Sequence, residues 1–254
     1  MRPILLYIII ILTTSCVPTA YYQVYKANAE SGQLTNDKIM FEDKNCKISY
    51  DLWDEGGDIG FYIFNNTEND MTLDLAKSFF VLNGVSSEYY QKRTFTKTNS
   101  SGASVSTNTY SYLYAKPTNV SGTATSSFST SFEEKPSVTI PPKTMIKITE
   151  FRVSTSRHIN CDLPKYPSTK DIKTVKFDKT NSPFVFFNII SYTVQNETTK
   201  FENRFFVSEL TNMPGANMFT NVDKSLCGTK LGTPIKAFKN VSPDKFYVKY
   251  VREN

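Results

Sequence analysis

Imidazole, thiol and indole are scarce in this chain: 254 residues hold one histidine, four cysteines and one tryptophan. With His158 the sole imidazole, a Ser-His-Asp or Cys-His centre has only that residue to use. No Gly-x-Ser-x-Gly elbow supplies a serine nucleophile. A tetrahedral His/Cys site lacks ligands, so no metal and no cofactor is expected. No segment carries an amphipathic helical period of useful length, which argues against a helical fold. Charge of one sign is lacking too. The 29 Lys+Arg and 24 Asp+Glu are scattered along the chain, which is a solvated surface and excludes a nucleic-acid footprint. Nor is any apolar run long enough to span a bilayer. The run Ile4–Leu12 covers roughly 14 Å as a helix, about half of the hydrocarbon thickness.

That run has instead the form of a secretory signal, with Arg2 before it and Thr13-Thr14-Ser15-Cys16 after it. Small residues leading into a cysteine resemble the lipobox of bacterial lipoproteins, although Leu12 sits four residues before Cys16 where the strict pattern has Leu three before. Residues 1–15 are read as a signal peptide and Cys16 as the lipidated first residue of the mature protein. An ordinary cleaved signal, leaving Cys16 for a disulfide, is the second reading. Two or three acyl chains on Cys16 would hold a membrane firmly, where a single chain is marginal. Export implies an oxidising compartment, in which one pair among Cys46, Cys161 and Cys227 is expected. The sequence leaves the choice open; turn-rich surroundings favour Cys161 with Cys227.

Strand signals fill the remainder. Cys46, Ile48, Tyr50 and Leu52 alternate with polar residues, Ile59–Phe64 is apolar on both faces, and Met71, Leu73 and Leu75 follow a polar break. Phe79–Leu82 meets Asn83-Gly84, a dipeptide suited to a tight hairpin. Further strands are expected in 145–153, 173–177, 184–194, 204–210 and 246–251. The fold class is therefore all-β, an antiparallel β-sandwich, with a long Ser/Thr-rich hairpin or loop insertion at 97–131. Residues 16–40 read as the lipidated cysteine, a short strand and a tether, and residues 41–254 as the β-sandwich ectodomain.

Three constellations are candidates for function. Asp51, Asp54, Glu55 and Asp58 suit a glycosidase pair, a calcium loop or, the favoured reading, a turn built on Asp and Gly. His158 and Cys161 read as a surface histidine beside a structural cystine more readily than as a dyad. Tyr110, Tyr112 and Tyr114 alternate along one strand face, where they either cover the core or form a ligand-binding platform for a sugar or a protein. The basic stretch Lys236, Lys239, Lys245, Lys249 and Arg252 reads as the polar face of a last strand, with contact to anionic headgroups as the second reading. Five Asn-x-Ser/Thr triplets, at Asn65, Asn99, Asn119, Asn196 and Asn240, also fit a secreted glycoprotein, but a chain this rich in Asn and Thr produces them readily by chance.

Taken together, Tyr21–Lys26, Cys46 to Trp53 with Gly56-Gly57, Ser78–Gly84, Ile140-Pro141-Pro142, Cys161-Asp162-Leu163, Ser182-Pro183-Phe184 and Ser242–Tyr247 resemble a family of uncharacterised lipoproteins from Bacteroides and relatives. The resemblance covers nearly the whole mature chain and implies organism type and compartment, not an activity. The stretch Phe61–Gly84 is similar to one repeat of immunoglobulin-like sandwiches, an architectural likeness only. The expectation is a lipid-anchored cell-envelope protein with a non-enzymatic binding or structural role, its partners being the membrane and an envelope protein or glycan. The alternative is a periplasmic polysaccharide hydrolase or a surface glycan-binding lipoprotein. The resemblance implies an outer-membrane lipoprotein, and since surface-exported members of that group carry acids just after the lipidated cysteine whereas the first carboxylate here is Glu30, the protein is expected to face the periplasm.

Overall fold

Two hairpins form where the sequence supplies residues that tolerate left-handed backbone. Asn83 and Gly84 adopt φ 48° and 85°, and Gln195 and Asn196 adopt 48° and 69°, the positive angles that a two-residue hairpin loop requires. Each joins long neighbouring strands, and the result is an all-β, antiparallel sandwich. The structure, a computed structural model, describes residues 19–110, 117–223, 225–227, 229–230 and 232–252.

The larger sheet runs β10 (Ser137–Ile140), β6 (Met71–Leu82), β13 (Val185–Val194), β14 (Glu197–Pro214), β1 (Ala20–Ala29) and β19 (Lys245–Val251). β7 (Val85–Glu88) pairs with β6, and β12 (Thr174–Lys176) pairs with β14. The smaller sheet runs β11 (Met145–Ile148), β5 (Phe61–Asn65), β4 (Cys46–Tyr50), β3 (Ile39–Glu42) and β2 (Gln33–Leu34). These eight and five strands exceed the four and three of a seven-stranded immunoglobulin constant domain. Three two-stranded ribbons complete the chain: β8 (Thr94–Tyr110) with β9 (Pro117–Glu133), β15 (Phe219–Val222) with β18 (Ile235–Phe238), and β16 (Ser225–Leu226) with β17 (Thr229–Lys230). One short helix, α1 (Gly215–Met218), follows β14.

One sequence expectation changes here and another is narrowed. Residues 20–40, read as a short strand and tether, belong to the sandwich: β1 is paired along both edges, with β14 and with β19. Its Tyr25 and Ala27 are buried in the core, because alternate residues of a strand share one face. The Ser/Thr-rich insertion, expected as a loop or a hairpin, is a hairpin ribbon where it is described. It lies within the β8–β9 ribbon, in unbroken register from Thr94↔Glu133 to Tyr110↔Pro117, since Thr suits extended backbone and the ladder needs no apolar side chain. At the ribbon's base the Arg93 guanidinium bonds both Glu134 and Glu150. That bond pulls the Glu134 carboxyl down to about 2.

Rings from both sheets fill the core. Phe205 of β14 meets Tyr50 of β4 edge-on at 5.1 Å and stacks on Phe186 at 5.3 Å. A polar network runs through this apolar layer. The Tyr50 hydroxyl donates to Asn203 Oδ1 at 2.7 Å, Asn188 Nδ2 donates to Tyr50 Oη and to the Ile59 carbonyl at 3.2 Å each, and the Tyr89 hydroxyl donates to Asn188 Oδ1 at 2.8 Å. Burial pushes the Tyr50 and Tyr89 hydroxyls far above their usual range. Replacing Asn188 by Ala strands two of these partners in the interior, so Asn188→Ala is expected to cost about 2–3 kcal/mol. Urea unfolding measures this, and an unchanged midpoint contradicts the network's role.

Candidate functional site

Where a sheet is covered on one face only, alternation leaves polar side chains on the other. The outer face around β1 departs from that pattern. Cross-strand register sets three rows side by side: Met213, Tyr22 and Lys249; Thr211, Val24 and Tyr247; Glu209, Lys26 and Lys245. The first two rows carry large aromatic and apolar groups. The third places two lysines directly opposite one another.

Trp53 forms the wall beside these rows. Its position is fixed by the turn after β4: Leu52 is buried and its N–H donates to the Pro243 carbonyl at 2.9 Å, while Trp53 N–H donates to Asp51 Oδ1 at 3.1 Å. Glycine is required in the same turn. Gly57 has φ 77°, and a Cβ there would lie 2.8 Å from the Phe246 ring. The roof comes from 215–223 and 232–240, tacked down by rings. Phe219 meets Tyr22 at 5.6 Å and Phe238 at 4.7 Å, and Phe238 meets Tyr247 at 4.9 Å and Trp53 at 5.5 Å. The Lys239 N–H donates to the Met218 carbonyl at 2.7 Å, closing the roof over α1.

Between floor, wall and roof is a cleft of about 140 Å³, with Asn217, Met218, Lys239 and Asn240 on the roof side. Glu209 is the carboxylate of its lining, and Lys26 holds it at 3.8 Å. Lys245 and Lys239 have no carboxylate within 4.0 Å among the described residues. Like charges facing across a strand pair destabilise it, so this surplus of ammonium groups does nothing for folding. Hydrolysis of a glycoside uses two carboxyl groups about 5–9.5 Å apart, and this lining offers one. What it can do is stack a ring on indole, pair an anion with lysine, and offer amide donors and acceptors.

Comparison with family models, with curated proteins and with solved structures returns no match for the chain. The site is therefore read from its own chemistry.

The acidic cluster singled out from the sequence is a turn. Asp54 pairs with Arg152 at 2.8 Å, Asp58 Oδ1 accepts from Gly60 N–H at 2.8 Å, and the Glu55 carbonyl accepts from Arg152. Among the described residues no group of acids, histidines or cysteines could hold a metal. His158 works through its backbone, its N–H donating to Gln23 Oε1 at 2.7 Å while its ring meets Phe184 at 6.0 Å. Burial lowers the pKa of that imidazole, with Arg157 adding to the effect. Of the tyrosine row, Tyr110 ends β8 opposite Pro117, and Tyr112 and Tyr114 lie outside the described residues, as does Cys16. Asn65 is fully buried, its Nδ2 donating to the Asn69 and Ile140 carbonyls at 2.7 and 3.0 Å, so this triplet is closed to a glycan. Trp53, Lys26, Glu209 and the roof were not signalled by spacing. The uncommonness of tryptophan was the one available cue.

The expected Cys161–Cys227 disulfide is not formed: Cys46, Cys161 and Cys227 are free thiols. Cys161 and Cys227 are exposed, Cys227 in a left-handed turn at φ 49°, and Cys46 is buried. Burial pushes the Cys46 thiol up to about 12, with the Asp43 charge adding to the effect. Brief alkylation of native protein should therefore modify Cys161 and Cys227 and spare Cys46 until denaturant is added. Rapid modification of Cys46 in the native state, read by mass spectrometry, contradicts this arrangement.

Proposed function

We propose that this is a lipid-anchored cell-envelope protein that binds an acidic glycan in the Trp53 cleft, with Cys16 carrying the acyl chains after removal of residues 1–15. The observation that carries the binding reading is Lys26 opposite Lys245 beside the chain's only tryptophan. Sugar rings present C–H groups that lie against indole, and a carboxylate or phosphate on the ring answers the unpaired ammonium. The cleft is smaller than pockets that enclose a whole drug-sized ligand, so it suits one ring of a longer chain whose other units run along open surface. The anchor reading is supported by the signal-like run and Cys16, and the periplasmic face of the outer membrane by the lack of acids before Glu30.

Because the sole tryptophan lines the cleft, indole emission reports occupancy directly. Titration with oligogalacturonate should shift that emission, whereas neutral malto-oligosaccharide should not. Lys245→Gln should weaken the acidic ligand about tenfold, the worth of one charged contact. Equal binding of both sugars, or of neither, sinks the glycan reading.

The anchor has its own test. Metabolic labelling with a fatty acid should mark the wild type and not Cys16→Ser; undiminished label in the variant overturns the lipid assignment.

A further inference from the structure

The end of the larger sheet where β1 begins is built for contact with something outside the fold. Ala20 pairs with Val251 and Tyr21 with Pro214, so the first residues of β1 lie beside the last residues of β19 and β14. A loop is strapped across this end by three side chains. Gln23 Nε2 donates to the His158 carbonyl at 3.0 Å, Asn212 Nδ2 to that of Pro164 at 3.0 Å, and the Tyr250 hydroxyl to that of Lys165 at 2.6 Å. The rings of Tyr21, Tyr166 and Tyr250 touch one another at 5.1, 5.7 and 6.3 Å. Cations lie on them, Arg157 over Tyr250 at 5.4 Å and Arg252 over Tyr166 at 5.6 Å.

Around these rings the surface mixes apolar groups with positive charge. Val251 is 45% exposed and Ile159, next to His158, is 74% exposed. On the roof side of the same end, Tyr22, Phe219 and Lys236 line a concavity of about 500 Å³. Arg157, Lys165, Lys236, Lys249 and Arg252 outnumber the nearby carboxylates of that loop and ribbon, Asp162, Asp171 and Asp223. Rings with polar tips amid cations are what the boundary between lipid tails and water accommodates.

We propose that this end rests on the anionic headgroups of the leaflet that holds the Cys16 lipid, with Arg157, Lys236, Lys249 and Arg252 meeting lipid phosphates. The inference rests on the lipid-anchor reading for its geometry. Only Val17, Pro18 and Thr19 separate Cys16 from Ala20, and four Cα steps span at most about 14 Å. The headgroup layer itself is about 5–8 Å deep. With its acyl chains in the hydrocarbon, Cys16 holds the start of β1 within reach of that layer. The leaflet then covers the exposed apolar groups and neutralises the charge.

The test uses a chain from Val17 to Asn254, which contains every strand and all of the described core, with a thermal melt as the check on folding. It is sedimented with phosphatidylcholine vesicles, with or without phosphatidylglycerol. Binding is expected with phosphatidylglycerol only and should fall with added salt. Arg157→Gln with Arg252→Gln should weaken it about 25-fold, about fivefold per cation. Lys44→Gln with Lys200→Gln, toward the opposite end near the Gln195-Asn196 hairpin, should leave it unchanged. Should the arginine pair fail to fold, Lys236→Gln with Lys249→Gln probes the same surface. No sedimentation with phosphatidylglycerol, or equal losses from both ends, overturns the proposal. Vesicle binding by this chain, with no fatty-acid label on Cys16 of the full-length protein, would remove the anchor and leave the headgroup surface standing. Label without vesicle binding would do the reverse.

Discussion

The ladder along both edges of β1 is the constraint from which the other features follow. β19 has no other neighbour in its sheet, so without β1 the last strand loses its pairing, and with it the carbonyl of Tyr247 that accepts from Gly56 N–H at 2.7 Å. That contact ties the Trp53 turn to the larger sheet. The two faces of β1 then serve separate purposes. Gln23, Tyr25 and Ala27 point inward and are buried, while Val24 and Lys26 lie on the other face and line the cleft floor, with Tyr22 beside them at the neighbouring concavity. One ten-residue strand thus connects core, cleft and the cationic end.

Polar groups inside the sandwich give it a single arrangement. Gln23 is fully buried, donating to Asn212 Oδ1 at 2.8 Å and accepting from the His158 N–H and the Tyr25 hydroxyl. Asn188 and Asn203, opposite each other in β13 and β14, do the same for Tyr50 and Tyr89. An apolar layer of similar volume tolerates strand slippage; slipping here by one residue would leave these groups unpaired in the interior. The Asn203 Nδ2 that finds no partner marks the cost of that specification. The loop that carries His158 is held by the same logic, which is why it can lie across the end of the sheet without regular structure of its own.

Much of the strand content was legible because period-two alternation and turn residues act locally. Cys46–Tyr50, the Asn83-Gly84 hairpin and Val185–Val194 appear close to where those signals placed them. Other parts depend on contacts between distant segments. β1 was legible only as a short strand running into a tether, because nothing nearby in the sequence pairs with it; its edges are satisfied by strands nearly 190 and 230 residues away. The roof has weak strand signals and is held by ring contacts to Tyr22 and Trp53 rather than by its own pattern. Cysteine spacing did not show that Cys46 is sealed in the core; the period-two alternation did, since it sets Cys46 on the face of Ile48 and Tyr50, all three buried. The site escaped notice because Lys26, Trp53, Glu209 and Lys245 share a surface only after three strands and a turn have come together.

Position along β1 also bears on what the cleft can reach. Lys26 lies six residues beyond Ala20, about 20 Å at the rise of an extended strand. If the Ala20 end rests on a leaflet as proposed, the cleft lies at most that far above the headgroups, and its place relative to the Ala20 end is fixed because β1 is paired on both sides. A tethered binder on flexible coil samples many heights and orientations; a domain standing on its own first strand has one. The ligand must then come to that height, which favours a polymer lying along the envelope over a small molecule free in solution.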